Sequence, residues 1–358
     1  MCLPVSMRDQ FFRGQDMRFK GWEKTKITTD TGETVDAICP VIVSASRSTD
    51  IPAFYSKWFF NRLNRGHCLW INPFNQTRQY ISFHKTRLFV FWSKNPEPFI
   101  DRLQELDSRN VNYYFQFTLN DYENDDLEPA LPSLHHRINV FKRLSKQVGK
   151  ERIIWRFDPL VLTDRIDAAA LVEKMYRVGE AVSKYTAKLV ISFADIARYR
   201  NVRRNLAGAG IRYRFFQDED ILFIAENLRQ LSEDLGLAVA TCAEEMDLDA
   251  YGIVHNKCID DELIIKNFSS DEQLMAFLGV KNSGSSLFPG FGDGRRLNLK
   301  DPGQRKACNC IVSKDIGQYN TCGHLCRYCY ANFSEKRVFK NLSKRTHDHS
   351  ESILAKQG

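Results

Sequence analysis

The chain reads as an α/β protein: a partial or full TIM-type β/α barrel whose mouth is covered by a C-terminal cysteine-rich segment. Three observations predict this. From residue 41, short apolar, β-rich runs alternate six times with stretches of i, i+3, i+4 apolar spacing, the pattern of βα units and a parallel sheet. No Gly-rich phosphate fingerprint follows the first strand, which favours a barrel over a dinucleotide-binding sheet. Five of the ten cysteines fall within residues 308–333.

The units follow in order. VIVSASRSTD (41–50) leads into a helix over 53–66, and LFVFWSKNP (88–96) into one over 99–109. NYYFQFTLND (112–121) leads through a Pro-containing loop into a helix over 135–149. RIIWRFDPLVLTD (152–164) precedes a helical stretch over 165–185. KLVISFAD (188–195), after a basic loop over 198–214, precedes another over 218–236. AVATCAEE (238–245) is the sixth strand-like run. Residues 24–39 read as a hairpin around Asp-Thr-Gly at the foot of the barrel, and 67–87 as an extra hairpin. The predicted organisation is an N-terminal extension and hairpin (1–39), a β/α core (40–250), a cysteine-rich segment (251–335) and a basic tail (336–358).

Composition sets bounds. At 43% apolar and 27% charged residues the chain has a soluble globular profile. It contains no run of about 18 apolar residues, so no membrane partner is expected. The N-terminus has no apolar core of a signal peptide, and the expected location is the cytoplasm, where thiols stay reduced. There, clustered cysteines point to metal or redox chemistry. The net charge of +7 reads as ordinary surface charge or as affinity for nucleic acid; residues 198–214 and 336–349 carry the second reading.

In a barrel the C-terminal strand ends share one face, where active sites are built. Those ends offer Arg47 and Asp50, then Lys94 and Asn95, then Gln116 and Asn120. Arg156 and Asp158 follow, then Ser192 and Asp195, and last Glu244. Arg47, Asp50, Lys94, Arg156, Asp158, Asp195 and Glu244 are the catalytic candidates, against the plain alternative that polar residues begin every loop. Arg156 and Asp158 stand out, because a strand covered by helices stays apolar unless its ionised groups have partners or a task.

Cys322, Cys326 and Cys329 are spaced C-x3-C-x2-C. Three thiolates on one loop hold three irons of a 4Fe–4S cube and leave the fourth open to a small molecule. The rival is zinc, completed from Cys308, Cys310 and His324. Cys308 and Cys310, with Cys242 and Cys258, are candidates for a second cluster or a zinc ion; otherwise Cys242 and Cys258 are small buried apolar residues. Cys2, Cys39 and Cys68 read as ordinary thiols. His67, His84, His135 and His136 show no ligand spacing, and Asp315 reads as a turn residue leading into the motif.

The stretch Cys322-x3-Cys326-x-Tyr328-Cys329 resembles the cluster motif of radical S-adenosylmethionine enzymes, and TCGHLCRYCYAN is similar to their spore-photoproduct-lyase-like branch. From about residue 40 to 333 the chain resembles the family called domain of unknown function eighteen-forty-eight. That match is carried by SASRSTDIPAFY (44–55), NPFNQ (72–76), FWSKNP (91–96), QFTLNDY (116–122), WRFDPLVL (155–162), ISFADIARY (191–199), TCAEEMDL (241–248) and IVHNKCID (253–260). The resemblance implies a 4Fe–4S cluster on the three cysteines, with Tyr328 packed beside it. It also implies S-adenosylmethionine, reductive cleavage to a 5′-deoxyadenosyl radical, and a reductant such as ferredoxin or flavodoxin. Asn95 and Asn120 are the cofactor-binding candidates on the rim. The superfamily's Gly-Gly-Glu after strand two is replaced here by SKNPEPF, and its cluster loop lies after strand one, where this chain has SASRSTD. The C-terminal segment is therefore expected to fold back across the strand ends. The substrate is an unidentified small molecule or, by the DNA-repair resemblance, nucleic acid. The alternative is a non-catalytic iron–sulfur or zinc protein that senses redox state or binds a partner.

Overall fold

The computed structural model describes residues 19–280, 298–343 and 348–354. Cys2, residues 1–18 of the predicted extension, and residues 344–347 and 355–358 of the predicted basic tail lie outside them. Eight strands form the main sheet: β1 (Ile42–Ala45), β2 (Leu88–Ser93), β3 (Asn112–Thr118), β4 (Ile153–Leu160), β5 (Lys188–Phe193), β6 (Ala238–Thr241), β7 (Ile253–His255) and β8 (Lys314–Asp315). They pair in parallel throughout, in the order β7-β6-β5-β4-β3-β2-β1-β8.

Seven strands thus add one after another in one direction, and the eighth returns to the far edge beside β1. Of the expected partial or full TIM-type barrel, the full, closed form is not seen: no ladder joins β7 to β8 among the described residues. The reason lies at and beyond β7. That strand is only three residues long, and the chain then lays helices Asp261–Phe268 and Glu272–Phe277 and residues 299–312 against the sheet. The two edges approach through one hydrogen bond, from the Ile311 N–H to the Ile259 carbonyl at 3.1 Å.

Strand alternation explains why both faces are covered. Val43, Phe89, Phe91, Tyr113, Phe115, Trp155 and Leu189 pack with the surrounding helices. Ile42, Leu88, Val90 and Tyr114, pointing the other way, pack on Ile259, Ile264, Phe268, Leu274, Ile311 and Val312. Phe59, Phe89, Phe91 and Phe99 are fully buried, with Phe91 and Phe99 centroids 4.7 Å apart. Each such burial contributes about 1.5–3 kcal/mol. Helix Ala168–Val182 starts at Asp167, whose carboxylate accepts the Ala170 N–H at 2.8 Å.

Both predicted hairpins exist, but together they build a separate sheet. Glu23–Thr28 pairs with Thr34–Cys39, which pairs in parallel with Arg78–Ser82, itself antiparallel to His67–Ile71. The basic stretch expected as a loop contains a nine-residue helix, Arg200–Gly208. No helix among the described residues is long and apolar enough to cross a membrane.

Candidate metal centre at the sheet rim

Asp315 pairs alongside Ser44 of β1, and the Ile316 N–H donates to the Ser44 carbonyl at 3.1 Å. From there residues 317–333 cross the C-terminal ends of β1 to β3. Gly317 makes the crossing possible: a Cβ on it would lie 1.8 Å from Ser46 Oγ and 2.5 Å from Ser46 Cβ. Asp315 holds the turn, accepting from the N–H groups of Gly317 and Arg47, each at 2.8 Å. Beyond it, the Thr321 carbonyl accepts the Tyr55 hydroxyl at 2.7 Å.

The crossing brings Cys322, Cys326 and Cys329 to the rim, where they influence one another's ionisation. Burial pushes the Cys322 thiol well up and the Cys326 thiol up to about 12, the latter against the charge of Lys94. Burial also raises Cys329, and the backbone N–H groups of Ala331 and Asn332 act in the opposite sense. Free thiols so placed stay protonated at neutral pH, and a metal centre supplies the positive charge that ionises them. Among the described residues, no three cysteine sulfurs all lie within 4.8 Å of one another. A single tetrahedral zinc with bonds of about 2.3 Å would gather its sulfurs to about 3.8 Å.

Asp50 anchors this loop. Its carboxylate accepts from His324 Nε2 (2.7 Å), the Lys94 N–H (2.7 Å), Ser93 Oγ (2.8 Å) and the Ala53 N–H (2.9 Å). Burial opposes its charge, but the His324, Lys94 and Ser93 donors prevail and hold the carboxyl below its usual range. Asp50→Ala leaves these donors unmatched in the interior. The expected loss is about 3–5 kcal/mol in urea unfolding, with weakened cluster retention measured as iron per chain. Asp50→Asn, which keeps an acceptor, should lose less.

Lys94 and Asn120 belong to a second buried network, centred on Glu128. Lys94 Nζ donates to Glu128 (2.6 Å) and to the Tyr328 hydroxyl (2.8 Å). Asn120 Nδ2 donates to Glu128 and Tyr328, each at 3.1 Å, and its Oδ1 accepts the Asp158 N–H at 2.9 Å. Tyr328 donates to Glu128, and Arg137 lies 3.7 Å from the same carboxylate. Asn120 is thus committed to positioning Tyr328, rather than facing open space as a cofactor ligand would. Asn95 does keep a buried Oδ1 without a partner.

The remaining candidates divide. Arg156 and Asp158 are an ion pair; Ser192 donates to Asp158, and Arg156 Nη1 reaches Gln116 at 3.2 Å and Cys258 Sγ at 3.1 Å. Arg47 stacks on Trp92 at 5.1 Å, with Nη2 buried and unpartnered. Glu244 accepts the Phe193 N–H at 3.0 Å, and burial lifts its carboxyl to about 7. Asp195 is exposed, and its charge adds to the upward push on Glu244. Tyr199, Tyr330, Tyr319 and Phe74 form a line of ring contacts, 5.6 to 6.1 Å between centroids, over the crossing segment.

Several contributors carry no sequence signal. Glu128 and Arg137 are one. The basic helix is another: Asn201 donates to the carbonyls of Cys329 (3.1 Å) and Tyr330 (3.0 Å), and Arg204 donates to that of Phe333. His67, read as unpaired, lies 3.4 Å from Glu351 and 3.8 Å from Asp30. Arg62 pairs with Asp30 at 2.8 Å and Tyr80 with Glu351 at 3.1 Å, so this group clasps residues 348–354 to the small sheet.

Comparison with known proteins adds a family and little else. The family described as domain of unknown function (DUF1848) matches residues 42–331. No curated protein matches the chain. A crystal structure from Bacteroides thetaiotaomicron, titled as a candidate alpha-L-fucosidase, is 9% identical. It covers 73% of this chain and 82% of its own, at a TM-score of 0.23.

Proposed function

The chain belongs to the DUF1848 family, of unknown function, and we propose that it is a radical S-adenosylmethionine-type enzyme with a 4Fe–4S cluster on Cys322, Cys326 and Cys329. The observation that carries this is the set of three thiols on one crossing loop, Cys326 buried and Cys322 and Cys329 half-buried, with no fourth cysteine among them. The chemistry such a cluster supplies when bound is transfer of one electron, taken from a ferredoxin- or flavodoxin-class donor, to the sulfonium of S-adenosylmethionine. One carbon–sulfur bond breaks, giving methionine and a 5′-deoxyadenosyl radical.

The chain's own residues prepare the place. Asp50 fixes the loop through His324, and Glu128 fixes Tyr328 against Cys326. Asn95 Oδ1, buried and free, is the acceptor best suited to the methionyl ammonium left unassigned by the missing Gly-Gly-Glu. The aromatic line from Tyr199 to Phe74 packs ring on ring beside the rim. Cys326 also borders a small surface groove of about 40 Å³, lined by Asn205, Arg327 and Glu335, which gives an outside electron donor a short approach.

The test is anaerobic reconstitution followed by reduction with dithionite in the presence of S-adenosylmethionine. Release of 5′-deoxyadenosine in step with methionine is expected. A cluster-loaded protein that leaves S-adenosylmethionine intact would overturn the enzyme reading and leave a redox-sensing or partner-binding protein. Substrate identity, whether small molecule or nucleic acid, is then read from which candidate raises the rate of 5′-deoxyadenosine release.

A further inference from the structure

On the sheet face covered by helices Asp261–Phe268 and Glu272–Phe277, a second set of thiols converges. Cys242 follows β6, Cys258 follows β7, and Cys308 and Cys310 precede β8, so three segments far apart in sequence contribute. Cys242 Sγ lies 3.4 Å from Cys258 Sγ. The Cys258 N–H donates to Cys310 Sγ at 3.1 Å, with the Ile259 N–H at 3.5 Å. Cys308 interacts in turn with the Cys310 thiol.

This arrangement is built, not incidental. The Cys258 carbonyl is gripped by the Tyr114 hydroxyl at 2.6 Å and the Gln116 amide at 2.9 Å, both buried. Arg156 Nη1 and Asn256 Nδ2 point at Cys258 Sγ, at 3.1 and 3.4 Å. The Arg47 guanidinium is influenced by Cys310 and Cys258, and its Nη2 is buried without a partner. Cysteines that merely fill a core need no donors and no cations around them. Thiolates ligating a metal need both, because the assembly carries net negative charge.

We infer that Cys242, Cys258, Cys308 and Cys310 hold a second iron–sulfur cluster, ligated by four protein sulfurs. The four thiols, gathered from three segments, supply a full ligand set from protein alone. With no open vertex, its chemistry is storage of one electron rather than substrate binding. Arg47 lies between the two sets: its guanidinium feels the charge of Cys310, and its carbonyl accepts the Tyr330 hydroxyl, next to Cys329, at 2.8 Å. The assignment stands whether or not the rim cysteines cleave S-adenosylmethionine.

Iron, sulfide and zinc are counted on anaerobically purified full-length chain, in the wild type, in Cys326→Ala and in Cys242→Ser/Cys258→Ser. The wild type should hold about eight irons and each variant about four. The two variants should give different low-temperature electron paramagnetic resonance spectra after dithionite reduction. Cys308→Ser/Cys310→Ser, on the opposite side of the set, repeats the measurement should the first pair fail to fold, as judged by circular dichroism. A wild type with about four irons, all lost in Cys326→Ala, would overturn the second cluster. So would one zinc per chain that disappears with Cys258.

Discussion

Cys326→Ala is expected to remove about four irons per chain and to bring 5′-deoxyadenosine release to background. Cys326 is the middle cysteine of the proposed ligand set and feels the charge of Lys94. Without it two sulfurs remain, Cys322 and Cys329, too few to hold a cube against solvent iron chelators. The fold should survive. Cys326 sits on a loop that is pinned independently by Tyr55 at Thr321, by Asp50 at His324 and by Asn201 at Cys329. A buried small-to-small exchange of this kind costs about 1 kcal/mol. Iron analysis beside thermal unfolding separates the two effects. An undiminished iron content would remove the rim set from the cluster altogether.

Much of the architecture is legible in the sequence itself. The six strand–helix units announce themselves, because a buried parallel strand must be a short apolar run and its helix must be amphipathic. The spacing of Cys322, Cys326 and Cys329 is what singles out the crossing loop as a candidate metal site. What the sequence concealed depends on distance. β7 escapes notice because a three-residue strand has no period, and with it goes the reason the sheet stays open. Residues 198–214 read as a basic loop because charge dominates their composition; only the contacts of Asn201 and Arg204 with the cysteine segment reveal the helix as a buttress. Asp50 stands out in sequence as a charged residue at a strand end, but its four donors mark it as an anchor for His324 rather than a group facing substrate. Glu128, within DLEPA, has no neighbour in sequence that hints at burial.

Glu128 is where the other large effect is expected. Its carboxylate sits among Lys94, Arg137, Asn120 and Tyr328, with its side chain only 1% exposed. Burial raises the cost of that charge, but Lys94 and Arg137 outweigh it and the carboxyl titrates below its usual range. Glu128→Ala strips two buried cations of their counter-charge, and breaking such a group costs about 3–5 kcal/mol. The loss should reach the cluster as well, because Tyr328 loses its acceptor. The Arg327 N–H is also held by the carbonyl of neighbouring Leu127 at 2.9 Å. Glu128→Gln keeps the shape and the hydrogen bonds to Asn120 and Tyr328, so it isolates the charge. A depressed folded-state pKa stabilises the fold above the unfolded carboxyl value, about 4.3, and that contribution fades as pH falls through the folded value. The stability gap between wild type and Glu128→Gln, followed by urea unfolding of cluster-free protein, should therefore be full at pH 7 and shrink as pH drops below about 4.3. A gap unchanged by acid would mean that packing, not charge, is what Glu128 contributes behind the cysteine loop.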